Sequence, residues 1–358
     1  MNKKMNRYIK DSAFISVLKR EWIRMISRKL YFGVCIVLPL FCIFFMATIF
    51  GSGQMENIPV GVVDYDQTAT SRSIIRTVSA VPTFKVTEYY IDDISARNAT
   101  QKKQIYGYLV IPSNFEDNLL NGNGVTLSYY YHYALLSVGS EVRGAFETVL
   151  QTLSLSPIAV EATALGINEN LIKSFLVPIN TQSHPLYNPD LDYSVYLSNP
   201  FFFILFQVII LLITVYSIGI EIKFKTGNIW LECAKKNMVI AVLGKILPYT
   251  VIFVIMGIFA NYVMFGVMHI PFSCGFWPLN LTTVLFIIAT QFLGVFLFSL
   301  FPAISIVISI VSMVGSLGAT LSGVTFPAPF FFPIIYYLSF LFPVRHFIEI
   351  NQNLLYGD

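Results

Sequence analysis

Between Ile246 and Val344 the sequence contains no Lys, Arg, Asp or Glu. A surface facing water needs charge, and only a hydrocarbon solvent removes that need. Two shorter stretches, Leu30–Met55 and Tyr193–Ile220, lack charge in the same way. Over all 358 residues the charged fraction is 12%, against about 25% in a soluble protein. The absences place the chain among integral membrane proteins.

Further absences narrow the chemistry. There are four cysteines, Cys35, Cys42, Cys233 and Cys274, and none falls between 54 and 196. No disulfide framework therefore holds that block. No CxxC pair and no Cys/His spacing suited to zinc occurs, so no metal site is expected. No GxxxxGK[ST] sequence is present, and Gly244-Lys245 lacks the rest of that motif. Hydrolysis of ATP by the P-loop route is excluded. The block 54–196 shows neither a glycine-rich phosphate loop nor a nucleophile elbow. No membrane span contains Asp or Glu, which argues against proton-coupled transport through carboxylate relays.

The charge that is present sits in short blocks of opposite character. Residues 1–29 hold nine Lys/Arg against two Asp/Glu, 54–196 hold eight against fourteen, and 221–237 hold four against two. Basic blocks beside spans stay cytoplasmic, so 1–29 and 221–237 are expected inside and 54–196 outside. The basic N-terminus runs directly into an apolar span, which disfavours nucleic acid as its partner.

Residues 1–29 predict an amphipathic helix, with Phe14, Val17, Leu18, Trp22, Met25 and Ile26 on one face and Lys19, Arg20, Arg24 and Arg28 towards the other. Such a helix lies in the membrane interface, or packs on the protein itself. Residues 30–53 hold the first span, with Leu30–Phe50 long enough to cross, about 30 Å as a helix. The block 54–196 reads as strands at Ile58–Asp64, Phe84–Tyr90, Tyr106–Pro112 and Val125–Tyr131. Helices fall between them, and a longer one covers Leu135–Leu155. That alternation predicts a mixed α/β sheet domain. Asp64 and Asp66 suit turn and helix-start chemistry, with a metal or acid–base pair as the alternative. Residues 171–196 predict an extended return to the membrane.

Residues 197–325 hold the second to fifth spans: Asn199–Ile220, a span within Met238–Met268, Leu279–Leu300 and Ile304–Gly323. Between the first two of these lies the cytoplasmic loop 221–237. Residues 326–358 begin with a segment broken by Pro327, Pro329 and Pro333, read as a re-entrant or outer hairpin ending at Pro343. Lys245 is expected to snorkel to the cytoplasmic interface, the alternative being contact with substrate or a headgroup. Arg345 and His346 are expected to anchor the outer interface, the alternative being a role in gating. Gln207, Tyr216, Asn261 and Gln291 are polar groups within spans, and either line a translocation path or hydrogen-bond between helices. The expected fold is a polytopic α-helical membrane protein with an inserted α/β extracytoplasmic domain and an amphipathic N-terminal interfacial helix.

Several stretches together resemble the membrane subunit of the ABC-2 (type V) exporter family, in the branch with a large extracytoplasmic domain after the first span. They are Ile58-Pro-Val-Gly-Val-Val-Asp-Tyr-Asp66, Val110-Ile-Pro-Ser-Asn-Phe115, Tyr187-Asn-Pro-Asp-Leu-Asp192, Glu221 with Lys225-Thr-Gly227, Gly244-Lys245, and Leu321-Ser-Gly-Val-Thr-Phe-Pro327 with Phe342-Pro343. The resemblance implies that a separate cytoplasmic ATPase, carrying ATP and Mg, grips the N-terminal helix and the loop 221–237. The coupling residues would be Arg20, Arg24, Glu221, Lys223, Lys225, Thr226, Gly227 and Trp230. This chain would carry no cofactor of its own. The resemblance also implies a second permease subunit, a copy or a paralogue, a periplasmic adaptor as a further partner, and a place in the bacterial inner membrane. The family's loop carries a second acidic residue where this chain has Lys223 or Lys225. Its final membrane helix, expected after 343–355, has no counterpart before Asp358. The cargo expected is amphipathic or lipid-like. The rival reading is a membrane-anchored receptor or assembly factor whose outer domain binds a ligand or partner.

Overall fold

The computed structural model describes residues 12–51, 55–121, 125–164, 192, 194–272 and 274–356. The chain divides into two units, Met1–Gly53 with Leu186–Asp358, and Gln54–Pro185. The extended return expected over 171–196 falls almost wholly outside the described residues.

The first unit opens with α1 (Ala13–Ser27) and the apolar helix α2 (Lys29–Ile49). Arg28, in an extended conformation, separates them.

The second unit is built on a four-stranded sheet. In chain order it comprises β1 (Ile58–Asp64), α3 (Ala69–Ser79), β2 (Phe84–Tyr90), α4 (Asp93–Gln101), β3 (Gly107–Ile111), α5 (Phe115–Leu120), β4 (Ser128–Tyr131) and α6 (Leu136–Ala164). The strand order is β2-β1-β3-β4, with β1 parallel to both neighbours and β4 antiparallel to β3. A parallel pair needs a crossover, which α3 and α4 supply. β1 is central, buried from both sides, and correspondingly a nearly continuous apolar run. Val60, Val62, Leu109 and Ile111 share a core with Ile74 and Val78 of α3 and Val142 and Phe146 of α6. On the other face Val63 and Tyr108 pack with Ala96 and Ala99 of α4. The two aspartates after β1 work as backbone caps. Asp64 Oδ1 accepts from the Asp66 and Gln67 amides, both at 3.0 Å, and Asp66 Oδ1 accepts from Phe115 N at 2.7 Å, at the start of α5. Among the described residues no cluster of His, Cys, Asp and Glu could hold a metal.

The chain returns through α7 (Ser194–Lys223), α8 (Gly227–Cys233), α9 (Met238–Val267), α10 (Phe276–Leu300), α11 (Ile304–Thr320), α12 (Pro333–Ser339) and α13 (Pro343–Tyr356). The helices α2, α7, α9 and α10 are long and apolar enough to cross a membrane. The expected fifth span is shorter: α11 has 17 residues, about 26 Å as a helix against about 30 Å of hydrocarbon. α7 is the central helix, buried over most of its length, and the other three are buried over less than half of theirs. That pattern leaves apolar side chains for lipid to cover. α7 packs against α10 and α11, where Gly294 lies close to Thr214 and Gly315 close to Val208. Such small residues let membrane helices approach closely. Residues 343–356, which the sequence reading left without an element, form α13. It packs on α10 and α7, with Phe347 seated against Phe203 and Phe286.

Three spans contain a π-helical turn: Gly33–Val37 in α2, Ser194–Ser198 at the start of α7 and Tyr262–Val267 at the end of α9. Two of the turns sit just before a proline, Pro39 and Pro200. Proline has no N–H to donate, and its ring crowds the carbonyl four residues back. A wider turn relieves that crowding.

Candidate functional site

α1 is laid against α9 by its small and apolar face. Ser16, Val17, Glu21 and Met25 are buried, while Phe14, Trp22, Ile23 and Ile26 are left exposed. The close approach is at Gly244: a Cβ built there would lie 3.0 Å from Val17 Cβ. That contact brings Glu21 of α1 within reach of Lys245 of α9. α7 ends two residues after Glu221, and the chain turns sharply through Lys225, whose φ is 53°. It then enters α8, whose Trp230 indole N–H donates to the Ala241 carbonyl at 3.1 Å. The loop is thereby fastened to the start of α9, whose own cap is the Asn237 side chain accepting from Ile240 N.

Five ionised side chains meet inside this frame. Arg20 grips Glu221 with both nitrogens, at 2.8 and 2.9 Å. Arg24 and the Thr226 hydroxyl donate to the same carboxylate. Lys245 Nζ lies 2.8 Å from Glu221 Oε1 and 2.7 Å from Glu21 Oε2. It also sits 5.1 Å from the centre of the Trp230 ring. Glu21 accepts from the Tyr249 hydroxyl at 2.7 Å and lies 3.5 Å from Arg24. Glu21, Glu221 and Lys245 are each at most 1% exposed, Arg20 is 14% and Arg24 16%. Burial works against the Arg24 charge, but its hydrogen bond to Glu221 and the nearby Glu21 outweigh it and hold the guanidinium above its ordinary value. With three cations and two carboxylates, the cluster retains one positive charge. Pairs this buried are costly to break, because whichever partner remains is left charged without compensation.

Of the coupling residues expected from sequence, Arg20, Arg24, Glu221, Thr226 and Trp230 come together here. Lys223 and Lys225 do not: both are exposed on the loop surface, and Gly227 merely opens α8. Arg20 and Arg24, on the basic face of α1, point at Glu221. Two assignments change. Lys245 is fully buried in an ion network and does not snorkel, because two carboxylates converge on it. Arg345 is 2% exposed, stacked 4.9 Å from the Tyr336 ring and 4.6 Å from Phe340, so it is a packed core group and not an interface anchor. The sequence reading missed Glu21 and Tyr249. Glu21 was discoverable as the one acidic residue of α1, on the same helical face as Val17 and Met25.

The polar residues within the spans are engaged between helices. Gln207 Oε1 accepts from Val344 N at 2.9 Å, and Gln291 Oε1 accepts from the Thr250 hydroxyl at 2.7 Å. Asn261 Nδ2 donates to Asn280 Oδ1 at 3.1 Å and Thr283 Oγ1 at 3.0 Å. Each keeps a buried polar atom with no partner among the described residues: Gln207 Nε2, Gln291 Nε2 and Asn261 Oδ1. The Tyr216 ring meets Tyr31 edge-on at 5.7 Å. His346 Nε2 lies 2.9 Å from the Phe340 carbonyl.

The sequence model of the ABC-2 family transporter protein matches residues 29–358. No curated protein and no solved structure matches the chain.

Proposed function

As the chain belongs to the ABC-2 transporter family, we propose that it is the membrane permease subunit of an ATP-driven exporter, energised by a separate ATPase that docks on α1 and the loop 221–237. Membership makes it a transmembrane transport protein and implies a partner ATPase. The observation that carries the coupling site is the ion network. It binds α1, the end of α7, the loop and the start of α9 into one body, so a push on the loop moves α7 and α9 together. Around it the surface offers what a docking protein needs: the exposed apolar side chains of Ile222, Phe224 and Ile229 beside the exposed lysines Lys223, Lys225, Lys235 and Lys236.

In this reading the N-terminus and loop 221–237 are cytoplasmic, the sheet unit is extracytoplasmic, and the membrane is a bacterial inner membrane. ATP and Mg sit on the partner. A second permease copy or a paralogue completes the pathway, with a periplasmic adaptor as a further partner. The exposed apolar edge of α1 (Phe14, Trp22, Ile26) suits the membrane interface. Gln207, Tyr216, Asn261 and Gln291 are the candidate path residues, the first, third and fourth by virtue of their unpaired polar atoms. The cargo is amphipathic or lipid-like.

Co-purification tests the reading. The chain, co-expressed with candidate ABC-type ATPases, should retain one of them and stimulate its turnover. Replacing Ile222, Phe224 and Ile229 with Ser should abolish both effects. Failure of the intact chain to recruit any ATPase would end the exporter reading.

A further inference from the structure

The sheet unit carries a groove that the coupling scheme does not use. It has a volume of about 480 Å³ and runs along the face of β3 and β4 that α4 leaves uncovered, ending at residues 132–134. Its floor is Tyr108, buried at 2% exposure, with Tyr130 stacked parallel on it at 4.9 Å. Tyr130 and Tyr133 are 48% and 50% exposed, so part of each side chain is open to a ligand. Asp93, Arg97 and Gln101 of α4 line the opposite wall, and His132 closes one end.

We propose that this groove is a carbohydrate-binding site, taking a neutral sugar chain of about two to three rings. The charges across the groove cancel: one carboxylate and one guanidinium select neither an anion nor a cation. Carboxylate, guanidinium and primary amide are planar groups that can reach two hydroxyls at once, and a sugar presents hydroxyls in adjacent pairs. Two buried polar atoms, Asp93 Oδ1 and His132 Nδ1, have no partner among the described residues. A hydroxyl is both donor and acceptor and satisfies either atom, whichever tautomer His132 adopts. The tyrosines supply rigid faces with a polar edge, which match a sugar ring's apolar face and hydroxyl rim. A purely apolar ligand would desolvate the Arg97 charge and leave Asp93 Oδ1 without a partner, at a cost that aromatic contact does not offset. This site stands independently of transport, since the groove lies wholly within the sheet unit.

The test uses the full chain in lipid nanodiscs. Maltotriose, cellotriose, chitotriose and mannotriose are screened by saturation-transfer difference NMR, with an uncharged extended pentapeptide as comparator. At least one trisaccharide should receive saturation at its ring protons. Tyr130→Ala should weaken that binding about tenfold, the loss of one aromatic stacking surface. Arg97→Ala, on the exposed helix wall, should weaken it by a similar factor and guards against a disturbed sheet in the first variant. Tyr89→Ala, 68% exposed on β2 and outside the groove, should change nothing. No transfer to any of the four sugars at about 10 mM, well above the millimolar range expected of so small a ligand, overturns the proposal. So does sugar binding that survives both Tyr130→Ala and Arg97→Ala, or binding of the pentapeptide alone.

Discussion

Replacing Glu221 with Gln keeps the side chain's shape and removes one of the two negative charges in the buried cluster. Arg20, Arg24 and Lys245 would then face Glu21 alone, and an amide N–H₂ would sit among cations. Hydrogen bonds to ionised groups contribute about 1.5–3 kcal/mol each. Removing one partner of a buried pair costs about 3–5 kcal/mol. Arg20 and Arg24 keep 14% and 16% exposure, so water recovers part of their share. Lys245 has no exposure and recovers none. The expected loss is about 3 kcal/mol, more than a hundredfold in the folded-to-unfolded ratio. Equilibrium unfolding of the purified chain in mixed micelles reads it directly. The pair is isolated by a double-mutant cycle with Lys245→Met, because the double variant removes a cation along with the carboxylate. A coupling of about 1–3 kcal/mol is expected, with the double variant less damaged than the sum of the singles. A loss under about 0.5 kcal/mol for Glu221→Gln, or a coupling indistinguishable from zero, would refute the network as the tie between α1, α7 and α9.

Three further outcomes follow from the same geometry. Gly244→Leu places a side chain where Val17 already lies 3.0 Å from a built Cβ, so α1 should lift. Maleimide labelling of Ser16→Cys, buried at 1% in the intact chain, should rise by an order of magnitude if opening costs fall by about 1.4 kcal/mol. Phe146→Ala in α6 removes a ring whose centre lies 4.5 Å from that of Phe84, tilted by 40°, in the sheet core and should destabilise the sheet unit by about 3–5 kcal/mol, with little effect on α1 labelling. The Asp92 carboxylate caps α4 by accepting from Ser95 N at 2.7 Å, and that bond holds it below the ordinary carboxylate range. A depressed acid stabilises above its unfolded value of about 3.9 and loses that contribution as pH falls through its folded value. Protection of the Ser95 amide, its exchange rate compared with the intrinsic rate at the same pH, should therefore fall only in acid, and Asp92→Asn should flatten the dependence.

Much of the local structure was legible because it is written in local chemistry. β1 and β2 take the bounds that their apolar runs and flanking turns imply, Ile58–Asp64 and Phe84–Tyr90. The apolar stretches around α2, α7, α9 and α10 declared themselves by missing charge. β4 begins at Ser128, three residues later than its apolar run suggested. What the sequence could not disclose is pairing at a distance. Arg20 and Glu221 are 201 residues apart, and Lys245 and Glu21 are 224 apart. Taken alone, a lysine near a helix start suits snorkelling, and an arginine on a basic helix suits a wetted face. Only the close passage at Gly244 turns both inwards. Arg345 misled for a local reason: the rings it packs on, Tyr336 in α12 and Phe340 just after it, belong to a proline-rich stretch that hides its periodicity.

The π turns before Pro39 and Pro200 change how these spans can be read. A wide turn holds one residue more than an α-turn, and each residue of an α-helix advances the side-chain direction by about 100°. A stripe of side chains counted from the start of α2 or α7 therefore emerges past the turn on a different side of the rod. Helical wheels drawn across Gly33–Val37 or Ser194–Ser198 would assign lipid-facing and protein-facing positions wrongly beyond them, and scanning mutagenesis of either span should be phased afresh from Leu38 and from Asn199.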